Sequence, residues 1–255
     1  MTIRLTRVEE FAVLTIDRPD ALNALSFTLL RELGDALDTV GAGDARALIV
    51  TGAGAKAFSA GADIKELTAR PLMQNRAGAA LGQHVFAKLD TLAMPSIAVI
   101  NGFAFGGGLE LALACTFRLA LPAAKVGLPE IKLGLIPGYG GTQRLPRLIG
   151  EGRALELIMT GRTVGAEEAH RIGLVNRLVE GDAVAAGIAF AREFSGYGLP
   201  ALRLARDAVK RALDLPLHEG LKIEADLSTL AYATDDAREG MAAFMAKRKP
   251  GFKDR

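Results

Sequence analysis

The first half of the chain alternates between short apolar runs and longer amphipathic stretches. Three short runs bounded by proline or glycine are predicted to be strands, namely residues 11–17, 46–51 and 96–101. Residues 26–40 carry leucines at helical spacing, and Ser26 is suited to cap the start of that helix. Because strands alternate with helices, the pattern favours an α/β fold.

Glycine dominates the middle of the chain. Residues 106–108 are three glycines that precede LELALAC, an apolar stretch that predicts a buried helix. Residues 137–141 (PGYGG) precede another helical stretch. Glycines ahead of helices let the backbone approach a ligand and direct free N–H groups at it. Both places are therefore candidate binding sites.

The pattern changes beyond about residue 182. The remaining segments are rich in Ala and Leu, carry no strong strand signal and are predicted to be helices, at residues 182–194, 199–213, 216–232 and 236–247. Two prolines, Pro200 and Pro216, lie near predicted helix starts, where proline is tolerated. The sequence therefore predicts a helical C-terminal region.

Composition narrows the possible partners and location. With 31 basic and 29 acidic residues the net charge is +2, which argues against a nucleic-acid binder. The one basic cluster, residues 247–249, is either a solvated tail or part of a site. No apolar stretch is long enough to span a membrane, and the N-terminus lacks a signal-peptide apolar region. We expect a cytoplasmic protein without membrane partners.

The single cysteine, Cys115, excludes a disulfide within the chain and fits a reducing compartment. Several other chemistries lack their motifs. Gly52 and Gly54 match a loose dinucleotide fingerprint, but Phe58–Ser59–Ala60–Gly61 interrupts the helix that this site requires. The sequence has no phosphate-binding P-loop and no G-x-S-x-G motif. Its histidines are isolated at positions 84, 170 and 218, which disfavours a histidine-rich metal site.

Two glutamates stand out because apolar residues flank them. Glu110 lies in GGGLELALAC, and Glu130 lies in VGLPEIKL. Each is either a surface glutamate at the edge of a helix or a carboxyl group in a partly dry site. In the second case its pKa is open to tuning for proton transfer. Spacing alone does not show that the two carboxyl groups meet.

Several long motifs in order resemble the crotonase (enoyl-CoA hydratase/isomerase) family over nearly the whole chain. They are residues 58–66 (FSAGADIKE), 100–110 (INGFAFGGGLE), 128–145 (LPEIKLGLIPGYGGTQRL), 160–163 (TGRT) and 173–176 (GLVN). The C-terminal stretch at 239–254, with Phe244 and the basic cluster, is similar to enoyl-CoA hydratases in particular. Together these motifs are far more specific than any one alone.

The resemblance implies a fold of repeated ββα units. It places a core with an acyl-CoA site at residues 1–195 and a helical oligomerisation subdomain at residues 196–255. It implies a homotrimer, or a hexamer built as a dimer of trimers. The substrate is expected to be a coenzyme A thioester, with no metal or redox cofactor and no nucleic-acid partner. The implied activity is that of a hydro-lyase.

The implied reaction is hydration of trans-2-enoyl-CoA to (3S)-3-hydroxyacyl-CoA, in fatty-acid β-oxidation or a related acyl-CoA degradation pathway. By resemblance, Glu110 deprotonates the attacking water and Glu130 protonates Cα. The remaining matches are Ala62 and Gly107 as the oxyanion hole, Gly138 for water positioning, and Ala60, Ala62 and Lys247 for coenzyme A. Fixed N–H donors suit the enolate charge that hydration builds on the thioester oxygen.

Alternatives remain open at this stage. The family also contains enoyl-CoA isomerases, other acyl-CoA enzymes and non-catalytic relatives that bind coenzyme A or RNA, although retention of both glutamates favours a hydratase. Residues 67–88 match the variable region that shapes the acyl pocket, and Met73 there is either an adaptable wall or a helix-face residue. The chain length of the acyl group is not fixed. Ser228 stands where relatives often carry an aromatic residue near adenine, with Tyr232 close by.

Overall fold

The computed structural model describes residues 2–68 and 70–255. Its first elements are β1 (Ile3–Val8), β2 (Phe11–Ile16), α1 (Phe27–Gly41), β3 (Ala47–Gly52), β4 (Ala57–Ser59), α2 (Ile64–Thr68), α3 (Leu72–Thr91) and β5 (Ser96–Ile100). The middle of the chain forms β6 (Phe103–Phe105), α4 (Gly107–Ala114), β7 (Phe117–Ala120), β8 (Lys125–Gly127), α5 (Gly141–Ile149), α6 (Glu151–Thr160), β9 (Val164–Gly165), α7 (Ala166–Arg171) and β10 (Arg177–Leu178). The last helices are α8 (Ala183–Ala191), α9 (Leu199–Arg211), α10 (Leu217–Tyr232) and α11 (Asp235–Met245). Short 3₁₀ turns lie at Pro19–Ala21 and Pro129–Leu133.

The strands form two sheets. The larger has the order β1-β2-β3-β5-β7-β10, in which β1 and β2 pair antiparallel and the other neighbours pair parallel. The smaller has the order β4-β6-β8-β9, and only its β8–β9 pair is antiparallel. Parallel neighbours need crossover connections, which is why helices separate these strands along the chain. The α/β class predicted from the sequence is confirmed.

Helices cover both faces of the larger sheet. On one face, leucines of α1 and α3 join α4 in the main core. On the other face, Ile188 and Phe190 of α8 lie against strand residues such as Ile49 and Val99. Every residue of β2 and β3 is buried, as expected for strands with both faces covered. Helix α4 is also buried on all sides, so its apolar stretch shows no amphipathic period.

The strongest sequence predictions are confirmed. The three predicted strands are β2, β3 and β5, and the Ser26 hydroxyl accepts a hydrogen bond from Leu29 N at the start of α1. The four C-terminal segments are helices α8 to α11, and the described chain beyond residue 182 contains no strand. Strand β1, an edge strand with mostly exposed or half-exposed residues, was not predicted, and neither were the strands of only two to four residues.

The structure argues against a dinucleotide site after β3. The glycine-containing stretch after β3 leads directly into β4, so no helix begins there to bind a dinucleotide phosphate. The single cysteine is buried, and burial raises the pKa of the Cys115 thiol to about 12, as expected of a structural thiol. Among the helices that the structure describes, none has the length and apolar character needed to cross a bilayer.

Candidate active site

A cavity of about 370 Å³ opens between the two glycine-rich segments and the turn at Pro129–Leu133. Its walls include Phe27, Ala60, Ala62, Gly107, Glu110, Glu130, Gly138 and Tyr139. The cavity therefore brings together six residues that the sequence analysis selected from distant motifs. A concave, mostly apolar cavity with a few convergent polar groups is the usual form of a small-molecule site.

Glu110 lies in the first turn of α4 and is only 1% exposed. Its Oε1 accepts hydrogen bonds from the backbone N–H groups of Tyr139 and Gly141, at 2.8 and 2.7 Å. Burial raises the pKa of Glu110 to about 7, and the negative charge of Glu130 adds to the rise, while the backbone donors oppose it. The alternative of a surface glutamate is therefore wrong for this position. A carboxyl group with a pKa of about 7 is suited to exchange a proton near neutral pH.

Glu130 lies in the 3₁₀ turn at Pro129–Leu133, where the preceding proline fixes the start of the turn. Its Oε2 is buried and has no hydrogen-bond partner among the described residues. Burial raises the pKa of Glu130. Its Oε1 lies so close to the backbone that a Cβ atom on Gly106 would stand 2.9 Å away. Glycine is required at position 106 for two reasons, the close approach of Glu130 and a φ of +50°.

Two backbone segments meet beside the glutamates. Leu25 N donates to Gly61 O at 2.7 Å, and Asp63 N donates to Leu25 O at 3.0 Å. Since backbone groups alternate along an extended segment, this pairing directs the N–H of Ala62 away from Leu25. A Cβ atom on Gly61 would stand 3.4 Å from Gly107 N, which places the two segments side by side.

The N–H groups of Ala62 and Gly107 are both available to a ligand. Gly107 is the first residue of α4, where helical N–H groups have no partner within the helix. Within residues 2–68 and 70–255, neither N–H donates to a protein acceptor. Both residues line the cavity. Two such donors with a helix N-terminus behind one of them favour a developing negative charge on a ligand oxygen.

Gly138 lines the cavity in the turn that leads into α5. Its carbonyl oxygen accepts a hydrogen bond from Gln83 Nε2 at 2.9 Å, which ties the turn to α3. The next residue, Tyr139, packs edge-on against Phe86 with ring centroids 5.7 Å apart. The turn that faces Glu110 is therefore held by a polar and an aromatic contact from the same helix.

The rest of the cavity is mainly apolar. Residues Leu67, Asn75 and Ala79, which come from the variable segment 67–88, line it together with Phe27. Asn75 Oδ1 is buried without a partner among the described residues. Met73 does not line the cavity and is 70% exposed, so of its two interpretations the helix-face residue fits.

Three of the residues discussed above lie outside the cavity lining. Lys247 is exposed just beyond the end of α11 and does not line the cavity. Ser228 is exposed on α10, as is Tyr232. By contrast Ala60 and Ala62, the other predicted coenzyme A contacts, both line the cavity.

Sequence reasoning missed the groups that hold Glu110. Tyr139 and Gly141 act through their backbone N–H groups, 29 and 31 residues away along the chain. The only sequence signal for them is the glycine-rich run ahead of α5, which indicates free N–H groups but not their acceptor. In the described chain no three His, Cys, Asp or Glu side chains are grouped as a metal site would require.

Comparisons with known proteins show the family of this chain. Residues 6–255 match the family model for enoyl-CoA hydratase/isomerase. A crotonyl-CoA hydratase of Syntrophomonas wolfei is 44% identical over 252 residues, covering 98% of this chain and 97% of that protein. A short-chain-enoyl-CoA hydratase of Clostridium acetobutylicum is 40% identical over 254 residues, covering 98% and 97%.

Solved structures of relatives have the same architecture. The crystal structure of an enoyl-CoA hydratase from Bacillus anthracis has a TM-score of 0.95 and 40% identity, with all of each chain covered. The predicted crotonase fold is therefore confirmed. This chain belongs to the enoyl-CoA hydratase/isomerase family.

Proposed function

We propose that this protein is an enoyl-CoA hydratase, a hydro-lyase that adds water to trans-2-enoyl-CoA to give (3S)-3-hydroxyacyl-CoA. The observation that carries the proposal is the pair of carboxyl groups, Glu110 and Glu130, in one cavity with two free backbone N–H groups. Hydration needs a base, an acid and a site for enolate charge, and the cavity contains a candidate for each.

The N–H groups of Ala62 and Gly107 are proposed to bind the thioester oxygen. Attack on Cβ moves electron density onto that oxygen, so the donors bind the transition state more tightly than the substrate. Removing one such donor typically costs about 10²–10³ in kcat. The N-terminus of α4 points at the same place and adds its dipole.

Glu110 is proposed to take a proton from water, whose oxygen then bonds to Cβ, while Glu130 gives its proton to Cα. Burial raises the pKa of each carboxyl group, and the charge of Glu130 further opposes ionisation of Glu110, which favours a single negative charge on the pair. Two backbone N–H groups stabilise a negative charge on Glu110, whereas Glu130 Oε2 has no donor in the described chain. This contrast supports the ionised form for Glu110 and the protonated form for Glu130. After each turnover a proton returns from Glu110 to Glu130.

The rest of the site fits the same substrate. Gly138 is proposed to help hold the attacking water, because it lines the cavity beside the residues that bind Glu110. Ala60, Ala62 and Lys247 are proposed contacts of coenzyme A. Coenzyme A belongs to the substrate, and hydration transfers no electrons to an acceptor, so the reaction requires no redox cofactor. We also propose that no metal ion takes part.

We propose that the chain assembles as a homotrimer, or as a hexamer of two trimers. Support comes from the C-terminal helices, which expose large apolar side chains such as Leu217, Phe244 and Met245. Phe244 is 83% and Met245 82% exposed. Large exposed apolar side chains grouped in one region of the chain are characteristic of an interface. Further copies of the same chain are the proposed occupants.

The test is hydration of crotonyl-CoA, followed as loss of the conjugated enoyl-thioester absorbance. We expect rapid hydration by the wild type and a loss of ~10²–10⁴-fold in both Glu110→Gln and Glu130→Gln. Glu156→Gln, which breaks a surface ion pair with Arg162, is the matched control and should keep full activity. Near-wild-type rates in either active-site variant would refute the role of that glutamate. A folded wild type that does not hydrate crotonyl-CoA or longer enoyl thioesters would refute the function.

A further inference from the structure

Asp90, in the last turn of α3, lies where three helices meet. Its carboxylate accepts hydrogen bonds from both terminal nitrogens of Arg144 on α5, with Nη1–Oδ1 at 3.2 Å and Nη2–Oδ2 at 2.6 Å. It also pairs with Lys210 Nζ on α9. The Asp90 and Arg144 side chains are 29% and 25% exposed. A bidentate pair of this kind fixes orientation as well as distance.

The charge on Asp90 is stable across the working pH range. Burial acts to raise the pKa of Asp90, but the hydrogen bonds from Arg144 and Lys210 outweigh burial and hold the pKa below its usual range. Asp90 is therefore ionised wherever the enzyme is assayed near neutral pH. Because Asp90→Asn removes the carboxyl group, a changed pH profile in that variant cannot come from titration at this position.

Arg144 lies directly against the turn that holds Glu110. A Cβ atom on Gly140 would stand 3.4 Å from Arg144 Nε, and Arg144 N donates to Gly140 O at 2.8 Å. Gly140 lies between the two N–H donors, Tyr139 and Gly141, and its φ of +118° is a conformation that favours glycine. The guanidinium thus connects Asp90 to the backbone on which the position of the Glu110 carboxylate depends.

We propose that Asp90 and Arg144 are positioning residues, which fix the turn at residues 138–141 so that its N–H groups point at Glu110. The inference rests on the proposed role of Glu110 as the base. The pair acts from outside the cavity, since neither residue lines it. With the pair intact, the donors stabilise the ionised carboxylate. Without it, the turn relaxes, the donors lose alignment and the pKa of Glu110 rises.

A structural role alone predicts a different result. A partly exposed ion pair adds little to folding stability. Displacement of a catalytic group by about 1 Å, in contrast, costs ~10²-fold in rate. Positioning therefore predicts a large kinetic effect with a small change in melting temperature. The other titratable groups near Glu110, namely Glu130 in the 3₁₀ turn and the Tyr139 hydroxyl group, remain in every variant.

The experiment measures kcat, KM and the pH dependence of kcat/KM for crotonyl-CoA. In Asp90→Asn and Arg144→Met we expect kcat to fall ~10-fold or more, since misplacement acts on the transition state. KM should change less than kcat, and the acid limb of the profile should move to higher pH. Arg144→Lys, which keeps the charge but loses the bidentate pair, should recover part of kcat. Lys210→Met is the matched control, because it removes the other cation from Asp90 and leaves the Arg144 pair intact.

Three results would overturn the proposal in a wild type that hydrates crotonyl-CoA. The first is an unchanged kcat and an unchanged acid limb of the pH profile in Asp90→Asn. The second is a fall in kcat in Lys210→Met as large as that in Asp90→Asn. The third is a kcat in Arg144→Lys that is no higher than that of Arg144→Met. If Asp90→Asn does not fold, the kcat values of Arg144→Met and Arg144→Lys decide whether the proposal holds. A readout independent of activity is a carbon-13 NMR titration of the Glu110 carboxyl, assigned with Glu110→Gln. A higher Glu110 pKa in Asp90→Asn supports positioning even if crotonyl-CoA is not a substrate, and an unchanged pKa refutes it.

Discussion

At the scale of single residues, the chemistry depends on how two glutamates tolerate burial. A buried carboxylate without donors is costly, and the usual response is a raised pKa. Hydrogen bonds from two backbone N–H groups partly stabilise the charged form of Glu110, but burial still raises its pKa to about 7. That value suits a group that must release and accept a proton in each turnover near neutral pH.

The raised pKa has a consequence for stability. A carboxyl group whose pKa rises from 4.5 to about 7 on folding binds its proton more tightly in the folded state. Its contribution to stability is complete below pH 4.5 and is lost as the pH rises through about 7, with a total of about 3 kcal/mol. Glu110→Gln keeps the acceptor oxygen but has no ionisation. We expect the melting temperature of this variant, minus that of the wild type, to increase with pH across this window.

The measurement is thermal unfolding at a series of pH values from below 4.5 to above 7. Glu156→Gln, at the surface, is the control and should give a nearly constant difference. If the melting temperatures of Glu110→Gln and the wild type differ by a constant amount at every pH, Glu110 ionises normally in the folded protein. The same titration should appear in catalysis, since protonation below about pH 7 removes the proposed base.

Gly106 tests how closely Glu130 is held. A methyl group there would stand 2.9 Å from Glu130 Oε1, and a residue with a side chain is strained at a φ of +50° and a ψ of −126°. We expect Gly106→Ala to lose about 1–3 kcal/mol of stability and to lower kcat ~10-fold or more by displacing the acid. Gly152→Ala in α6, where a methyl group meets open space, is the control and should keep the stability and the kcat of the wild type. Full activity in Gly106→Ala would show that Glu130 has room to move.

The site residues were predictable because each lies inside a contiguous motif. Glu110, Gly107 and Ala62 are marked by their immediate neighbours in the sequence, and the structure places all three in one cavity. The contacts of Glu110 with Tyr139 and Gly141 were not predictable, because they join residues about thirty positions apart and use backbone atoms. No residue type identifies a backbone donor. The depth of burial, which raises the pKa, is likewise a property of the folded chain.

At the scale of elements, prediction depended on length and on the number of covered faces. Helix α1 and strands β2, β3 and β5 were predicted because five or more residues show a clear pattern. Strands β4, β6 and β8 have three residues each, too few to establish a period. These short strands support the two segments that carry Ala62 and Gly107. The short strands next to the site were therefore the part of the fold that the sequence pattern predicted least well.

We expect helix α3 and the start of α1 together to set the space for the acyl group. The Phe27 ring lines the cavity and lies directly against Gly78 of α3, where a side chain would clash. Replacing the ring with a smaller side chain should extend the cavity on this side. We expect Phe27→Leu to raise kcat/KM for eight- and ten-carbon enoyl-CoA relative to crotonyl-CoA by ~5-fold, because each added methylene then finds apolar contact.

Phe117→Leu is the matched control for this change. Phe117 packs with Phe190 and Phe194 in the separate cluster beneath α8, so its truncation should lower stability without altering chain-length preference. A substrate series from four to ten carbons compares the two variants with the wild type. The same preference in Phe27→Leu and wild type would place the end of the acyl chain elsewhere in the cavity.

At the scale of the whole molecule, the two predicted parts of the chain are joined by ion pairs as well as by apolar contacts. The division at residues 195 and 196 stays a prediction, and it falls in the connection between α8 and α9. Arg46, just before β3, donates to Ser195 O and Tyr197 O in this connection and pairs with Asp254 near the C-terminus. Asp236 accepts from the N–H groups of Lys253 and Asp254. The C-terminal residues 253–254 are thus bound to the rest of the protein. The outer surfaces of α10 and α11 are not covered by any other part of the described chain.

Assembly is the remaining test at this scale. Burial of one large apolar side chain contributes roughly 1.5–3 kcal/mol, and a closed trimer repeats each contact three times. A charge at such a position should therefore weaken assembly strongly. We expect Leu221→Glu on α10 and Met245→Glu on α11 to shift the mass measured by light scattering from a trimer or hexamer toward the monomer. Lys222→Gln, next to Leu221 but already polar, should leave the mass unchanged. A monomeric wild type, or an unchanged mass in both charged variants, would contradict the proposed assembly.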